Sequence, residues 1–243
     1  MCGRYDLNAT ALAIAARFGL SARVEDGKGD ADATSNIGMV WQPRYNIAPD
    51  QNNPVVVRDV QGHNHLELMR WGLVPAWSRE AKVAYSTINA RAETVASKPA
   101  FRKALVTQRC LVPATGYFEW AASERAGGKQ PYRVQVTGDD NDEDQILAMA
   151  GLYDVWKGPY GEPLLTYTII TTEASPGIRG LHERMPVLLS REDEAVWLDP
   201  GMNETERLLN LLRPYPDEKI SAYRVGRDVN SPANDRVELI RAA

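Results

Sequence analysis

Leu12, Ala15, Ala16 and Leu20 recur at helical spacing behind Asn8 and Thr10, either of which can cap. They predict a first helix that ends near Gly19. Residues 21–38 are rich in Gly, Asp, Ala and Ser and read as a mobile loop. Residues 55–57 and 65–69 read as strands, with 59–64 as the turn of a hairpin between them. Pro99 is placed to open a short helix through Leu105. Further strands are expected at 109–112, 117–120, 132–136, 146–152, 165–171 and 186–189, and a last one at 221–225. Residues 139–144 are all Asp, Asn or Glu and read as an acidic hairpin loop, unsuited to face a polyanion. Ser190 with Asp193, and Asn203 with Glu206, are two candidate helix starts. Many short strands and few helices predict an α+β fold: a single domain over residues 1–243, with a largely antiparallel, barrel-like sheet flanked by a few helices.

Composition adds limits. Hydrophobic residues make up 44% and charged residues 25% of the 243, as expected for a globule with a substantial core. No apolar run reaches the roughly 18 residues that a membrane span needs. The polar start Met1-Cys2-Gly3-Arg4-Tyr5-Asp6 is unlike a signal peptide, so the chain is expected in the cytoplasm. Its two cysteines, Cys2 and Cys110, are then free thiols. Together with His63, His65 and His182 they show no metal-ligand spacing, so neither metal nor cofactor is expected. The net charge of -4 argues weakly against nucleic acid, but it is unevenly spread. Between Arg70 and Arg109 lie eight basic residues and two acids, a local charge of +6 that leaves -10 for the rest. Such a basic face can hold a phosphate backbone on an acidic protein.

Candidate chemistry begins at Cys2. Loss of Met1 would put a thiol and an α-amine on one residue, with unperturbed pKa values of about 8.5 and about 7.7–8.0. The amine can condense with an aldehyde to an imine, and the thiol can then close a five-membered ring. Alone, a cysteine at position two says little. It stands, however, with five polar clusters: Pro43-Arg44-Tyr45-Asn46-Ile47-Ala48-Pro49; Arg70-Trp71-Gly72-Leu73-Val74-Pro75-Ala76-Trp77; Asn89-Ala90-Arg91-Ala92-Glu93-Thr94; Arg109 to Ala114 with Gly116-Tyr117-Phe118-Glu119-Trp120; and His182-Glu183-Arg184-Met185-Pro186-Val187. In this order they resemble the SOS response-associated peptidase family, from Cys2 to about Leu189.

The resemblance implies a cysteine peptidase or lyase-like protein of the SOS and DNA-damage responses. Its partner would be single-stranded DNA carrying abasic sites, captured as a covalent thiazolidine. It implies Cys2 as nucleophile, Asn89 as the holder of the N-terminal amine, Glu119 as the acid/base carboxylate and His182 as an aid to proton transfer. Arg4, Arg91 and Arg184 resemble phosphate-binding positions, Pro49 and Trp77 apolar wedges beside the lesion, and Thr171 a backbone contact. Pro99 stands where the family can carry arginine, and Lys98 or Arg102 are the available replacements. The protein is taken as a cytoplasmic monomer, at the nucleoid when on DNA. An exposed strand position would be the ordinary lot of Glu119, a turn that of Asn89, a structural hydrogen bond that of His182, and core packing an even alternative for Trp77. The alternative function is an N-terminal-nucleophile glutamine amidotransferase, which glutaminase activity would reveal.

Overall fold

A computed structural model describes residues 2–20, 41–81, 85–122, 128–137, 146–158 and 161–243. The expected loop at 21–38 and the acidic stretch at 139–144 lie outside them.

One sheet is open and antiparallel. In spatial order it runs β12 (Ile220–Arg224), β8 (Lys129–Val136), β7 (Gly116–Ala122), β1 (Tyr5–Leu7) and β2 (Arg44–Ile47). The other contains β3 (Asn52–Arg58), β4 (Asn64–Trp71), β5 (Asn89–Arg91), β6 (Arg109–Ala114), β9 (Leu147–Lys157), β10 (Pro163–Glu173) and β11 (Arg184–Pro186). The path β10-β4-β3-β6-β9 returns to β10, so these five strands close into a barrel. Beyond the barrel, the end of β10 pairs in parallel with β5 and antiparallel with β11. Its run Thr166 to Thr172 is buried throughout, as suits a β-branched strand enclosed on both faces.

Five helices are described: α1 (Ala11–Phe18), α2 (Arg102–Thr107), α3 (Pro176–Arg179), α4 (Arg191–Leu198) and α5 (Thr205–Asn210). Thr10 caps α1 by accepting from the Ala13 amide, and Gly19 ends it with a left-handed φ of 55°. Ser190 caps α4 by accepting from the Asp193 amide at 3.1 Å.

The two sheets meet around aromatic side chains. Trp71 lies edge-on to Tyr5 and stacks on Tyr167, with ring centroids 5.2 and 6.3 Å apart. The Tyr5 and Tyr167 hydroxyls hydrogen-bond at 2.8 Å. On the far side of the open sheet a smaller cluster gathers Phe118, Val225, Val229 and Leu239. β7 is therefore buried on both faces, with Phe118 in the small cluster and Tyr117 in the main core. A buried ion pair crosses β7: the Arg133 guanidinium donates to both Asp6 carboxylate oxygens at 2.9 Å. Gly116 makes room for it, since a Cβ there would lie 2.7 Å from the guanidinium carbon.

Three local expectations change. The expected strand at 186–189 is β11 only as far as Pro186. Beyond it, the Val187 amide donates to Ile170 and the Leu189 amide to Ala148, so the segment crosses from β10 to β9 rather than following one strand. Asn203 does not cap, because α5 begins at Thr205 behind Glu204, which makes no side-chain cap. Arg109 leaves the basic face: it is buried and donates to the carbonyls of Trp197, Leu105, Val106 and Asp199.

Candidate active site

Cys2 lies three residues before the start of β1 and is fully buried. Its Sγ lies 3.9 Å from the Arg4 carbonyl oxygen. Pairing with β7 places β1 so that the Phe118 amide donates to the Arg4 carbonyl at 2.9 Å. Asn89 opens β5, in register with Ile169 of β10, and is a strand residue rather than a turn. Its Nδ2 donates to the Cys2 carbonyl at 2.7 Å. Its Oδ1 is buried with no partner among the described residues.

Glu119 is buried on β7, not exposed. Burial raises its carboxyl pKa from 4.5 to about 7, against the opposing charge of Lys129. The same effect pushes the Cys2 thiol up to about 12, with the negative charge of Glu119 adding and the bond to Arg4 opposing. A thiol so placed is protonated near neutrality, and Glu119 is the carboxyl whose charge acts on it.

His182 lies between α3 and β11, half-buried, and its Nδ1 accepts from the Arg184 amide at 2.9 Å. Burial lowers its pKa, and Lys129 adds to this, so the same lysine acts on His182 and on Glu119. An accepting Nδ1 leaves the proton of the neutral ring on Nε2. The one lone pair of the neutral ring therefore accepts at this turn, and Nε2–H is left as a donor. His63, by contrast, sits in the β3–β4 turn near Asp59.

The residues expected on DNA divide by exposure. Trp77 is 69% exposed, which removes core packing as its explanation. Its loop is anchored on both sides: the Ala76 amide donates to Asp154, and the Trp156 indole to the Ser78 carbonyl, each at 2.8 Å. Arg91 is exposed at the end of β5, and Pro49 is half-buried next to Asp50, which turns the chain with a φ of 75°. Arg4 donates to Asn46 Oδ1 and the Val229 carbonyl, both at 2.8 Å, and lies over the Trp120 ring. Arg184 forks onto Glu93 at 2.6 and 3.0 Å and donates to the Thr171 carbonyl at 2.6 Å. Thr171 is fully buried, and its hydroxyl accepts from Arg184 at 3.3 Å. Sequence reasoning did not single out Tyr117, whose hydroxyl is buried with no partner among the described residues, or the buried Asp6–Arg133 pair. The alternation around Glu119 was the available signal for the first. A separate cavity of about 200 Å³, lined by Arg17, Arg58, Arg191 and Glu194 among others, shares no residue with this site.

The family model described as SOS response associated peptidase matches residues 1–232, and the chain belongs to that family. Abasic site processing protein YoqW of Bacillus subtilis is 38% identical over 242 residues, with all of both chains covered. Abasic site processing protein HMCES of Gallus gallus is 37% identical over 227 residues, covering 82% of this chain and 66% of the longer relative. A solved structure from Bacteroides thetaiotaomicron superposes with a TM-score of 0.82 at 30% identity, covering all of both chains.

Proposed function

We propose that this protein captures abasic sites in single-stranded DNA through Cys2 once Met1 has been removed. The observation that carries the reading is the Asn89 side chain, which fixes the Cys2 carbonyl at 2.7 Å while its Oδ1 is left unpartnered. That oxygen is an acceptor of the kind a free Cys2 amine needs. The α-amine attacks the ring-opened C1′ aldehyde, water leaves, and the thiol closes the thiazolidine. Glu119 supplies the proton transfer that opens the sugar, and the Nε2–H of His182 serves the amine side as a hydrogen-bond donor. The names of the relatives, abasic site processing proteins, agree with this substrate.

The same nucleophile suits removal of Met1. The Cys2 thiol can take over the methionyl group by an N-to-S shift, and water then releases methionine. The family assignment gives the glutamine amidotransferase alternative no support. The deciding experiment is denaturing electrophoresis after mixing the protein with single-stranded DNA that carries one abasic site. A band should survive denaturation with abasic DNA only, and should disappear in Cys2→Ala. Intact mass should show that the active protein begins at Cys2. No adduct at any salt concentration, or full activity in a protein that retains Met1, contradicts the reading.

A further inference from the structure

The cavity of about 200 Å³ apart from the Cys2 site lies where α1, the turn end of the β3–β4 hairpin and α4 meet. Arg58 and Asn64 face each other there, at the last pair of the β3–β4 ladder. Asn64 is seven positions before Trp71 on β4, so the cavity is roughly 24 Å along that strand from the aromatic contact between the sheets. Four charged side chains line it: Arg17, Arg58, Arg191 and Glu194. Arg17 neutralises the glutamate, forking onto its two oxygens at 3.0 and 2.5 Å, with each side chain only 10% exposed. Arg58 is held by neutral partners and keeps its charge uncompensated. Its Nε donates to Asn64 Oδ1 at 2.8 Å and its Nη1 to the Ala195 carbonyl at 3.1 Å. Arg191 is exposed at the first position of α4, and its side chain has neither ion pair nor hydrogen bond among the described residues. The other acids of that first turn, Glu192 and Asp193, do not line the cavity, and Asp193 pairs with Arg213. Three arginines against one glutamate leave the lining at +2, on a chain whose net charge is -4. Two guanidinium groups without counter-charge around one cavity repel each other, and an anion between them removes that repulsion.

We propose that this cavity binds a compact phosphate dianion, inorganic phosphate or a small phosphomonoester, between Arg58 and Arg191. Guanidinium groups match phosphate oxygens with paired N–H donors. Two uncompensated positive charges match a phosphomonoester, which carries about -1.5 to -2 near neutrality, better than a diester with its single charge. The Nε and Nη1 bonds of Arg58 fix its guanidinium in place before a ligand arrives, which lowers the entropy lost on binding. Phe18, Leu111 and Leu198 supply an apolar wall for the substituent of an ester. The site is smaller than the roughly 300–1,000 Å³ pockets that hold drug-sized ligands, so that substituent is small. None of this depends on the chemistry of Cys2.

The test titrates the full chain with inorganic phosphate, phenyl phosphate and dimethyl phosphate at constant ionic strength, by calorimetry and by the rise of melting temperature with ligand. Inorganic phosphate and phenyl phosphate should each saturate one site per chain and compete with one another. Tighter binding of phenyl phosphate assigns the site to a monoester, and tighter binding of inorganic phosphate assigns it to the free ion. Dimethyl phosphate, the singly charged diester, should bind at least about tenfold more weakly. Arg191→Gln breaks no contact among the described residues, so its melting temperature without ligand should be parental. Its affinity for phosphate should fall by about tenfold or more, the loss of a hydrogen bond to a charged group. Arg191→Lys keeps the charge without the fork and should lie between the two. No saturable binding by either measurement, equal affinity in the parent and Arg191→Gln, or dimethyl phosphate binding as tightly as phosphate would overturn the proposal. Abasic DNA takes no part in these readouts, so failure of the capture reading and failure of this one are separate results.

Discussion

Glu119 is the residue whose environment most changes its chemistry. With its pKa raised to about 7, it is close to half protonated at neutral pH, able both to give a proton to the sugar and to take one from the thiol. Single-turnover crosslinking should therefore show an inflection near pH 7 that Glu119→Gln abolishes, with a rate lower by roughly 10²- to 10⁴-fold. Stability supplies an independent check. The folded protein holds the Glu119 proton to higher pH than the unfolded chain does, so the parent loses stability as pH rises from about 4.5 to about 7. The rise in pKa corresponds to roughly 3 kcal/mol at most. Glu119→Gln escapes this cost. It should be more stable than the parent at pH 8, with the gap closing below pH 4.5. Equal denaturation curves at both pH values would show that Glu119 is not desolvated as described.

β1, the strand that follows Cys2, has only three residues, so it depends on its neighbours for position. Asp6 and Arg133 supply the strongest tie, a buried charge pair linking β1 to β8 across β7. Removing one member of such a pair leaves the other charge buried alone and costs about 3–5 kcal/mol. Asp6→Asn should lose that much in urea unfolding, and Asp6→Leu with Arg133→Met should recover most of it. A loss below about 1 kcal/mol in the single variant would mean that the pair does not hold β1. This dependence also explains what could be read in advance. The longer strands and α1 announce themselves by periodicity and caps. β1, β2 and β5 span three or four residues, too few for a period, and exist because longer strands pair with them. Asn89 therefore looks like a turn residue in isolation, and only the family pattern marks it. Cys2 and Glu119 were legible through the same pattern, whereas the burial that tunes Glu119 comes from packing that no local window contains. Arg109 misled for a related reason: a charge count cannot distinguish an arginine that serves buried carbonyls from one in solvent.

Across the whole molecule, the net charge of -4 means that DNA cannot be held by overall attraction and must be held by one face. Arg109 is buried, Arg70 pairs with Asp50 and Arg184 with Glu93, which leaves Arg79, Arg91, Lys98, Arg102 and Lys103 exposed among the described residues of the basic segment. Arg91 lies on the strand that carries Asn89, and an exposed Trp77 projects from an anchored loop. The two should fail differently. A phosphate contact contributes through counterion release, so Arg91→Ala should weaken binding to single-stranded DNA and reduce the slope of log affinity against log salt by about 0.7. A stacking side chain releases no counterion, so Trp77→Ala should cost about 1–3 kcal/mol and leave the slope unchanged. Fluorescence anisotropy in the Cys2→Ala background measures both with the covalent step removed. If Arg91→Ala keeps the parental slope, or Trp77→Ala changes the slope without changing affinity at low salt, this face is not where the strand lies.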